Sequence, residues 1–590
     1  MKKINTVACA LAAVLTLGSC SDFLEVEPQN IITIDQFWNE ESDVENMIAG
    51  CYSRMEEYDF ISRMMIWGEF RSENIVTYSS TVDDDVNLEK LLQENITADN
   101  AYTNWTCFYN VINRCNVIID YAPQVADNDP SYTKSELKAH IAEATALRSL
   151  CYFYLIRAFR DVPYNTESYL DDGQQLAIPA SSFDVVLDSL INSLEAVADY
   201  AIETYPKASG LAGYYNTGRI TKWCIYALLS EMYLWKQDYV NCIRYADLII
   251  ARKTKEAEDA DPTADYSDFN DYPLIKSAWT LNGYYGKAFG SIFVDGNSME
   301  SIFELNFIKG SDGNKLSNGP VSNFYGNLGR SPYCNASEYV SSDISATTPK
   351  VFSNIYDGRG YENFYYDRNG NPLRINKYVS KGDVMITDPA KTESFFTTSE
   401  WSVAYETYGS DYASRNKSNY ILYRLTDIML LKAEAYTQLM SDNTELTDQD
   451  EAYRDSAFVL VDAVNKRSLY VSDVNDSKYA SYLLDKSKYG SKTSITNLVY
   501  EERERELMFE GKRWFDLVRR ARRDGNTKYM REFVPQKVTS LSSIIDNQLQ
   551  KIDRIYWPYN LEELKVNTYL KQNSAFSSGE NSSYEKSASK

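Results

Sequence analysis

Histidine is nearly missing from this chain. Its 590 residues contain one, His140, beside nine cysteines, 15 prolines and 25 glycines. A single imidazole excludes histidine-rich metal centres and leaves Ser–His or Cys–His chemistry one candidate base. Positive charge is scarce too: 60 Lys plus Arg stand against 84 Asp plus Glu, a net charge of −24. A pI near 4.7 argues against a nucleic-acid-binding protein, whose footprint would be basic. No Cys-x-x-Cys pair occurs, so the usual spacing of structural zinc is lacking. Downstream of the N-terminus no run is long and apolar enough to cross a bilayer as a helix. What remains is ordinary globular composition, 44% hydrophobic and 24% charged, with chain enough for a sizeable core. Tyrosine is abundant, 48 against 23 Phe and nine Trp. Its apolar face and polar tip suit wet binding surfaces as well as cores.

The N-terminus predicts the compartment. Lys2 and Lys3 precede an apolar run at 7–17, too short for a membrane span, which ends in Leu17, Gly18, Ser19 and Cys20. This resembles a bacterial lipobox: residues 1–19 read as a lipoprotein-type signal peptide, with cleavage after Ser19 and diacylation of Cys20. Two acyl chains anchor stably where one does not. Loss of Lys2 and Lys3 takes the mature chain to −26, since residues 1–19 hold no acids. The nine cysteines become seven once Cys9 leaves and Cys20 is lipidated, and an odd number cannot form a complete disulfide framework. Cys51, Cys115, Cys151, Cys224 and Cys242 all fall on apolar helical faces and read as small buried hydrophobes.

Helical periodicity dominates the mature chain. Val44, Met47, Ile48, Cys51 and Met55 form one stripe; Trp105, Phe108, Val111, Ile112, Cys115 and Ile118 form another, with Asn110, Asn113 and Asn116 off that face. Leu147, Leu150, Cys151, Tyr154, Leu155 and Phe159 give a third, which Pro163 closes, and Phe183, Leu187, Leu190 and Leu194 a fourth. The span 219–250 reads as a helix–turn–helix close to the roughly 34-residue tetratricopeptide unit. A similar pair recurs around Ile428 and Leu431, then Leu460 and Val464. Such pairs bury their apolar faces by stacking, so the expectation is a mainly α fold: a tetratricopeptide-like scaffold of helical pairs, with long irregular loops and a few short strands. Between about 253 and 420 Gly, Asn, Ser, Asp and Tyr replace the stripes, and 301–307 reads as a strand. Long irregular regions of this kind usually carry function.

Several segments, in order, resemble the SusD/RagB family of Bacteroidetes outer-membrane nutrient-uptake lipoproteins. They are CSDFLEVEP at 20–28; the W-x3-Y-x2-I-x3-N spacing of Trp105, Tyr109, Ile112 and Asn116; EATALR at 143–148; GRIT at 218–221; YRLTDIMLLKAEA at 423–435; and, most closely, ERERELMFEGKRWFDL at 502–517. Trp557-Pro558-Tyr559 departs from the family's Pro-Ile-Pro, and Thr426 replaces an Ala. The resemblance implies a SusD-like α–α superhelix in two regions, 20–252 and 253–590, with ligand-facing insertions at about 253–420. It also implies a surface-exposed, lipid-anchored outer-membrane protein that serves as the lid of a SusC-like TonB-dependent barrel and captures oligosaccharide or polysaccharide. A peptide-binding lid and a surface glycosidase are the alternatives.

Within that frame, Trp279, Tyr284 and Tyr285 lie in a Gly- and Asn-rich stretch without helical periodicity and are the first candidates for a sugar-stacking platform, with packing of the loop onto the scaffold as the alternative. Trp67 and Tyr78 are a second candidate pair. No stretch arranges two acids in the pattern of a glycosidase barrel, so no enzyme activity is expected. No cofactor or metal is expected either: Asp83, Asp84 and Asp85, the acidic stretch 256–271, and the EF-hand-like Asp367 to Asn371 read as solvated loop, since Tyr378 stands where a bidentate Glu belongs. His140 is expected to be exposed on a polar helix start. Glu501–Arg505 and Asp516–Arg520 are expected as i,i+4 pairs on a helix surface.

Overall fold

The computed structural model describes residues 37–577 apart from breaks, the longer ones at 79–84, 207–211, 277–283, 308–317, 327–331, 342–350, 367–371, 386–403, 406–417 and 470–478. Among the described residues the fold is carried by the helices α1 Glu41–Met55, α2 Tyr58–Met65, α3 Thr106–Asn128, α4 Lys134–Phe159, α5 Phe183–Val197, α6 Lys222–Lys236, α7 Tyr239–Ala260, α8 Leu425–Leu439, α9 Asp448–Arg467, α10 Lys492–Leu507 and α11 Arg513–Asp524. Their ends are chemically marked. Thr133 and Glu136 form a capping box at the start of α4, as do Thr447 and Asp450 at α9. Between α6 and α7, Gln237 takes a left-handed conformation and Asp238 caps the next helix through the Asn241 amide. That two-residue turn folds the predicted pair into an antiparallel hairpin.

α3 packs on α4, α6 on α7 and α8 on α9, and α7 then packs on α8, so the pairs stack. Two apolar cores result. The larger runs from Trp38 to Leu570 and so joins early and late parts of the chain. The smaller is built on α8, α9 and α10, with Ile250 of α7 at its edge. α8 lies between them. Ile428, Leu431 and Ala435 face the larger core, while Leu425, Met429, Leu430 and Ala433 face the smaller. A helix with apolar residues on opposite faces is one buried on both, and this one holds the LTDIMLLKAEA part of the 423–435 segment.

Strands are short. β1 Ile75–Thr77 pairs antiparallel with β3 Cys334–Ala336, and β2 Ser301–Leu305, predicted from its sequence, pairs with β4 Tyr420–Arg424. Their partners are distant in sequence, so each ladder clamps loop-rich chain onto the helices.

The charged run at 502–517 is where the structure departs most from the sequence reading. Arg505 pairs with Glu502 at 2.9 Å, Asp516 pairs with Arg503 and Arg519, and Arg520 leans toward Asp524. The expected Glu501–Arg505 and Asp516–Arg520 surface pairs are not the ones formed, because Arg505 turns to buried Glu502 and buried Asp516 is taken by Arg503 and Arg519. Glu506 instead receives Arg424, Arg467 and Arg359, and Glu510 receives Arg424 at 2.7 Å and Lys377 at 2.6 Å. Arg359 also reaches Asp357 and Glu502, and Arg467 reaches Glu300. Five cations (Arg359, Lys377, Arg424, Arg467, Arg505) thus meet five anions (Asp357, Glu300, Glu502, Glu506, Glu510). Equal and opposite charge is what allows so many ions to leave water together. The cluster ties α10 to α9, β4 and the segment 357–377.

His140 is also not exposed. It is 4% accessible, with Nδ1 2.8 Å from the Tyr132 hydroxyl and Nε2 3.0 Å from a Glu45 carboxylate oxygen. α1 packs against α4 and covers a helix start that is polar in sequence.

Candidate functional site

The cysteines fall as expected: Cys51, Cys115, Cys151, Cys224 and Cys242 are buried and unbridged. Among the described residues no group of three His, Cys, Asp or Glu side chains could hold a metal ion. Asp85 caps the helix Val86–Leu92 through the amides of Asn87 and Leu88 and accepts the Tyr102 hydroxyl on its other oxygen. Asp83, Asp84 and 367–371 lie outside the described residues.

The aromatic candidates divide. Trp67 is no ligand contact. It is 0% accessible, donates its indole N–H to the Tyr102 carbonyl at 2.9 Å, and stacks on Phe108 with ring centres 4.9 Å apart. The loop-rich context suggested a wet ring, but the π-helical turn Ile66–Phe70 continues α2 and carries Trp67 into the larger core. Tyr78 is half-buried. It sits one residue past β1, and its N–H donates to the Tyr333 carbonyl at 2.9 Å, prolonging the β1–β3 ladder. Trp279 lies outside the described residues. Tyr284 and Tyr285 form a two-residue strand antiparallel to Val384–Met385, with side chains outside the described set.

Around Tyr78 the fold collects polar and aromatic groups that the sequence left apart. Tyr58 opens α2 and is 43% accessible. Its ring lies against Gly319, where an added Cβ would come within 3.3 Å of it, and its hydroxyl accepts the Asn323 amide at 3.2 Å. Buried Phe324 supports both Tyr58 and half-buried Tyr333, with ring centres 6.4 Å and 6.2 Å away. Arg63 donates to the Ala101 and Asn104 carbonyls and lies over the Tyr102 ring. Burial pushes the Tyr58 phenol up from its ordinary range; the Asn323 hydrogen bond and Arg63 oppose the shift, and Asp85 adds to it. Tyr58 and Tyr333 therefore form partly wet aromatic ground on Phe324, with the Tyr78 backbone paired to Tyr333 and an amide, a guanidinium and a carboxylate around Tyr58. Flat apolar faces can cover the C–H face of a sugar while such neighbours take its hydroxyls. Sequence reading found only Tyr78 here. The signals for the rest were weak: Tyr333 sits in a Gly-, Ser- and Pro-containing stretch, and Tyr58 directly follows two glutamates.

Two hollows lie elsewhere among the described residues. A void of about 20 Å³ inside the charge cluster, lined by Arg359, Arg424, Arg467 and Glu506, has room for a water and not for a sugar ring. An open cleft of about 470 Å³ has Phe269, Leu274 and Met299 in its wall, with Asp265, Lys276 and Lys287 around it.

The fold is a stacked helical-pair scaffold. The SusD family model matches residues 276–576, and a second family model, described as starch-binding associating with outer membrane, matches 22–234. The chain belongs to the SusD family, a family of nutrient-binding proteins associated with the outer membrane. A SusD-like protein of Formosa agariphila is 24% identical over 588 residues, covering 97% of this chain and 99% of the relative. Among solved structures, a SusD superfamily protein from Bacteroides vulgatus aligns with a TM-score of 0.62 at 16% identity, over 91% of this chain and 100% of its own. NanU of B. fragilis aligns with a TM-score of 0.59 at 17% identity, over 93% and 99%. These likenesses establish the helical fold.

Proposed function

We propose that the chain is a cell-surface, lipid-anchored glycan-binding protein that acts as the lid of a SusC-like TonB-dependent importer and captures oligosaccharide without chemical turnover. The observation that carries the glycan reading is the Tyr58–Tyr333 surface: partly exposed rings on Phe324, Tyr58 held by Gly319 and Asn323 with Arg63 and Asp85 alongside, and half-buried Tyr78 paired to Tyr333 through its backbone. The family description as starch-binding and outer-membrane-associated supports it. Cys20 supplies the anchor in this reading, and Trp279, Tyr284 and Tyr285 in the 253–420 insertions add a second group of sugar contacts. The regions 20–252 and 253–590 act as one rigid body that closes over the barrel.

A binding screen of oligosaccharides against peptides, with wild-type and Tyr58→Ala protein, tests the ligand class. Removing one stacking face weakens glycan binding by about 1 to 3 kcal/mol, roughly five- to more than a hundredfold. Binding of peptides alone, or glycan affinity unmoved in both Tyr58→Ala and Tyr333→Ala, overturns the glycan site. Release of reducing sugar by the purified protein overturns the non-enzymatic reading.

A further inference from the structure

Three elements bring their thiols together in the larger core. Cys51 of α1 and Cys115 of α3 are both fully buried, with Sγ atoms 3.9 Å apart, and Cys151 of α4 is buried in the same core. The neighbouring residues show how closely these helices approach. Arg114 donates to the Gly50 carbonyl at 2.6 Å, and a Cβ on Gly50 would come within 3.4 Å of that guanidinium. Residues 64 apart in sequence therefore meet at van der Waals distance with little between them.

We propose that Cys51 and Cys115 are a latent disulfide site, oxidised while the chain folds in an oxidising compartment, and that the bond staples α1 to α3. In the reaction two S–H bonds break and one S–S bond forms. The two electrons and two protons pass to a small-molecule or protein disulfide, which leaves as two thiols. Side-chain rotation of both cysteines must close the remaining gap, because a disulfide holds its sulfurs about 2 Å apart. Oxidation belongs to the folding stage, since burial in the finished core shields both sulfurs and pushes the Cys115 thiol well up from its ordinary range. The closed loop constrains the unfolded chain and so raises stability. The odd count of thiols is no obstacle, because Cys107, Cys151, Cys224, Cys242 and Cys334 are buried and can stay single thiols.

The full chain, reduced and unfolded, is refolded in a glutathione redox buffer, then unfolded again under an alkylating reagent and mapped by peptide mass. The expected result is one cross-linked peptide pair containing Cys51 and Cys115, with the other five described cysteines alkylated and a melting temperature that falls on reduction. Cys115→Ala abolishes the cross-link and leaves Cys51 alkylated. Alkylation of all seven, or a cross-link that uses Cys151, overturns the assignment, and equal melting of the oxidised and reduced forms overturns the staple. No ligand is measured, so the outcome is separate from that of the glycan reading.

Discussion

Trp67 and Tyr58 lie nine positions apart, yet one is core and the other surface. Trp67 is enclosed by Phe108, Phe159 and Trp557, whereas Tyr58 rests its ring on Gly319 and leaves its outer part in water. Truncation should therefore separate them. Trp67→Ala is expected to cost about 3 to 5 kcal/mol of stability, as for a large aromatic removed from a packed interior. Denaturant unfolding reads that loss, while the glycan affinity of the folded fraction stays within error of wild type. Tyr58→Ala should show the reverse pattern. Nothing in the residues around Trp67 distinguishes a wet ring from a dry one, because its neighbours in space come from α3, α4 and the C-terminal segment. His140 makes the same point, since Glu45 and Tyr132 decide its burial while its own neighbours Lys138 and Ala139 suggest a surface.

At the scale of elements, the MFEGKR turn between α10 and α11 shows what the signature motif does. Phe509 and Gly511 both adopt positive φ, 67° and 75°, and so the chain reverses within a few residues. The reversal aims the amides of Phe509, Lys512 and Arg513 at the Glu69 carboxylate, which also accepts the Asn74 side chain. A carboxylate at the exposed amides of a helix start is favoured by both hydrogen bonding and the helix dipole. Gly68 is the matching surface. A Cβ placed there would fall 1.9 Å from the Gly511 carbonyl oxygen, which is backbone and cannot step aside. Gly68→Ala is expected to destabilise by about 1 to 3 kcal/mol or more through overpacking, read as a lowered melting temperature. A Gly213→Ala control, where nothing lies within 4 Å, should leave melting almost unmoved. The motif was legible as letters in the sequence. That its glycine faces another glycine from α2's extension was not.

For the whole molecule, pH is the simplest probe of the buried ions. Arg503 and Lys512 pull Asp427 down to about 2 against the cost of burial, and Arg519 with Arg523 pulls Glu434 to about 2. A carboxylate depressed in the folded state adds stability above its unfolded pKa, near 4, and that stability is lost as pH falls through the folded value. Melting temperature should thus decline between about pH 4.5 and pH 2, and Glu434→Gln should start lower and fall less over that window. Glu69 acts in the opposite sense. Burial raises it to about 7, so its contribution is full below its unfolded pKa and fades as pH rises through 7. Anchoring is tested at the same scale. If the lipid on Cys20 alone holds the chain to the membrane, Cys20→Ala leaves a folded protein in the soluble fraction of a detergent-free lysate. Retention of that variant in the membrane pellet overturns the lipoprotein reading.

Periodicity was enough to determine α1 and α3 to α9, the hairpin pairing of α6 with α7 and the buried cysteines on their apolar stripes, while the ordered motifs carried the resemblance to the SusD family. All of these are local: a stripe of apolar residues states which side of its own helix must be covered. Which distant segment covers it was decided only in three dimensions. Asn323 reaches Tyr58 across 265 residues, and Arg359 meets Glu502 across 143. The wet aromatic surface and the buried charge cluster exist only once such segments meet. Burial and ion pairing are properties of assembled neighbours, whereas helix formation is a property of adjacent residues along the chain.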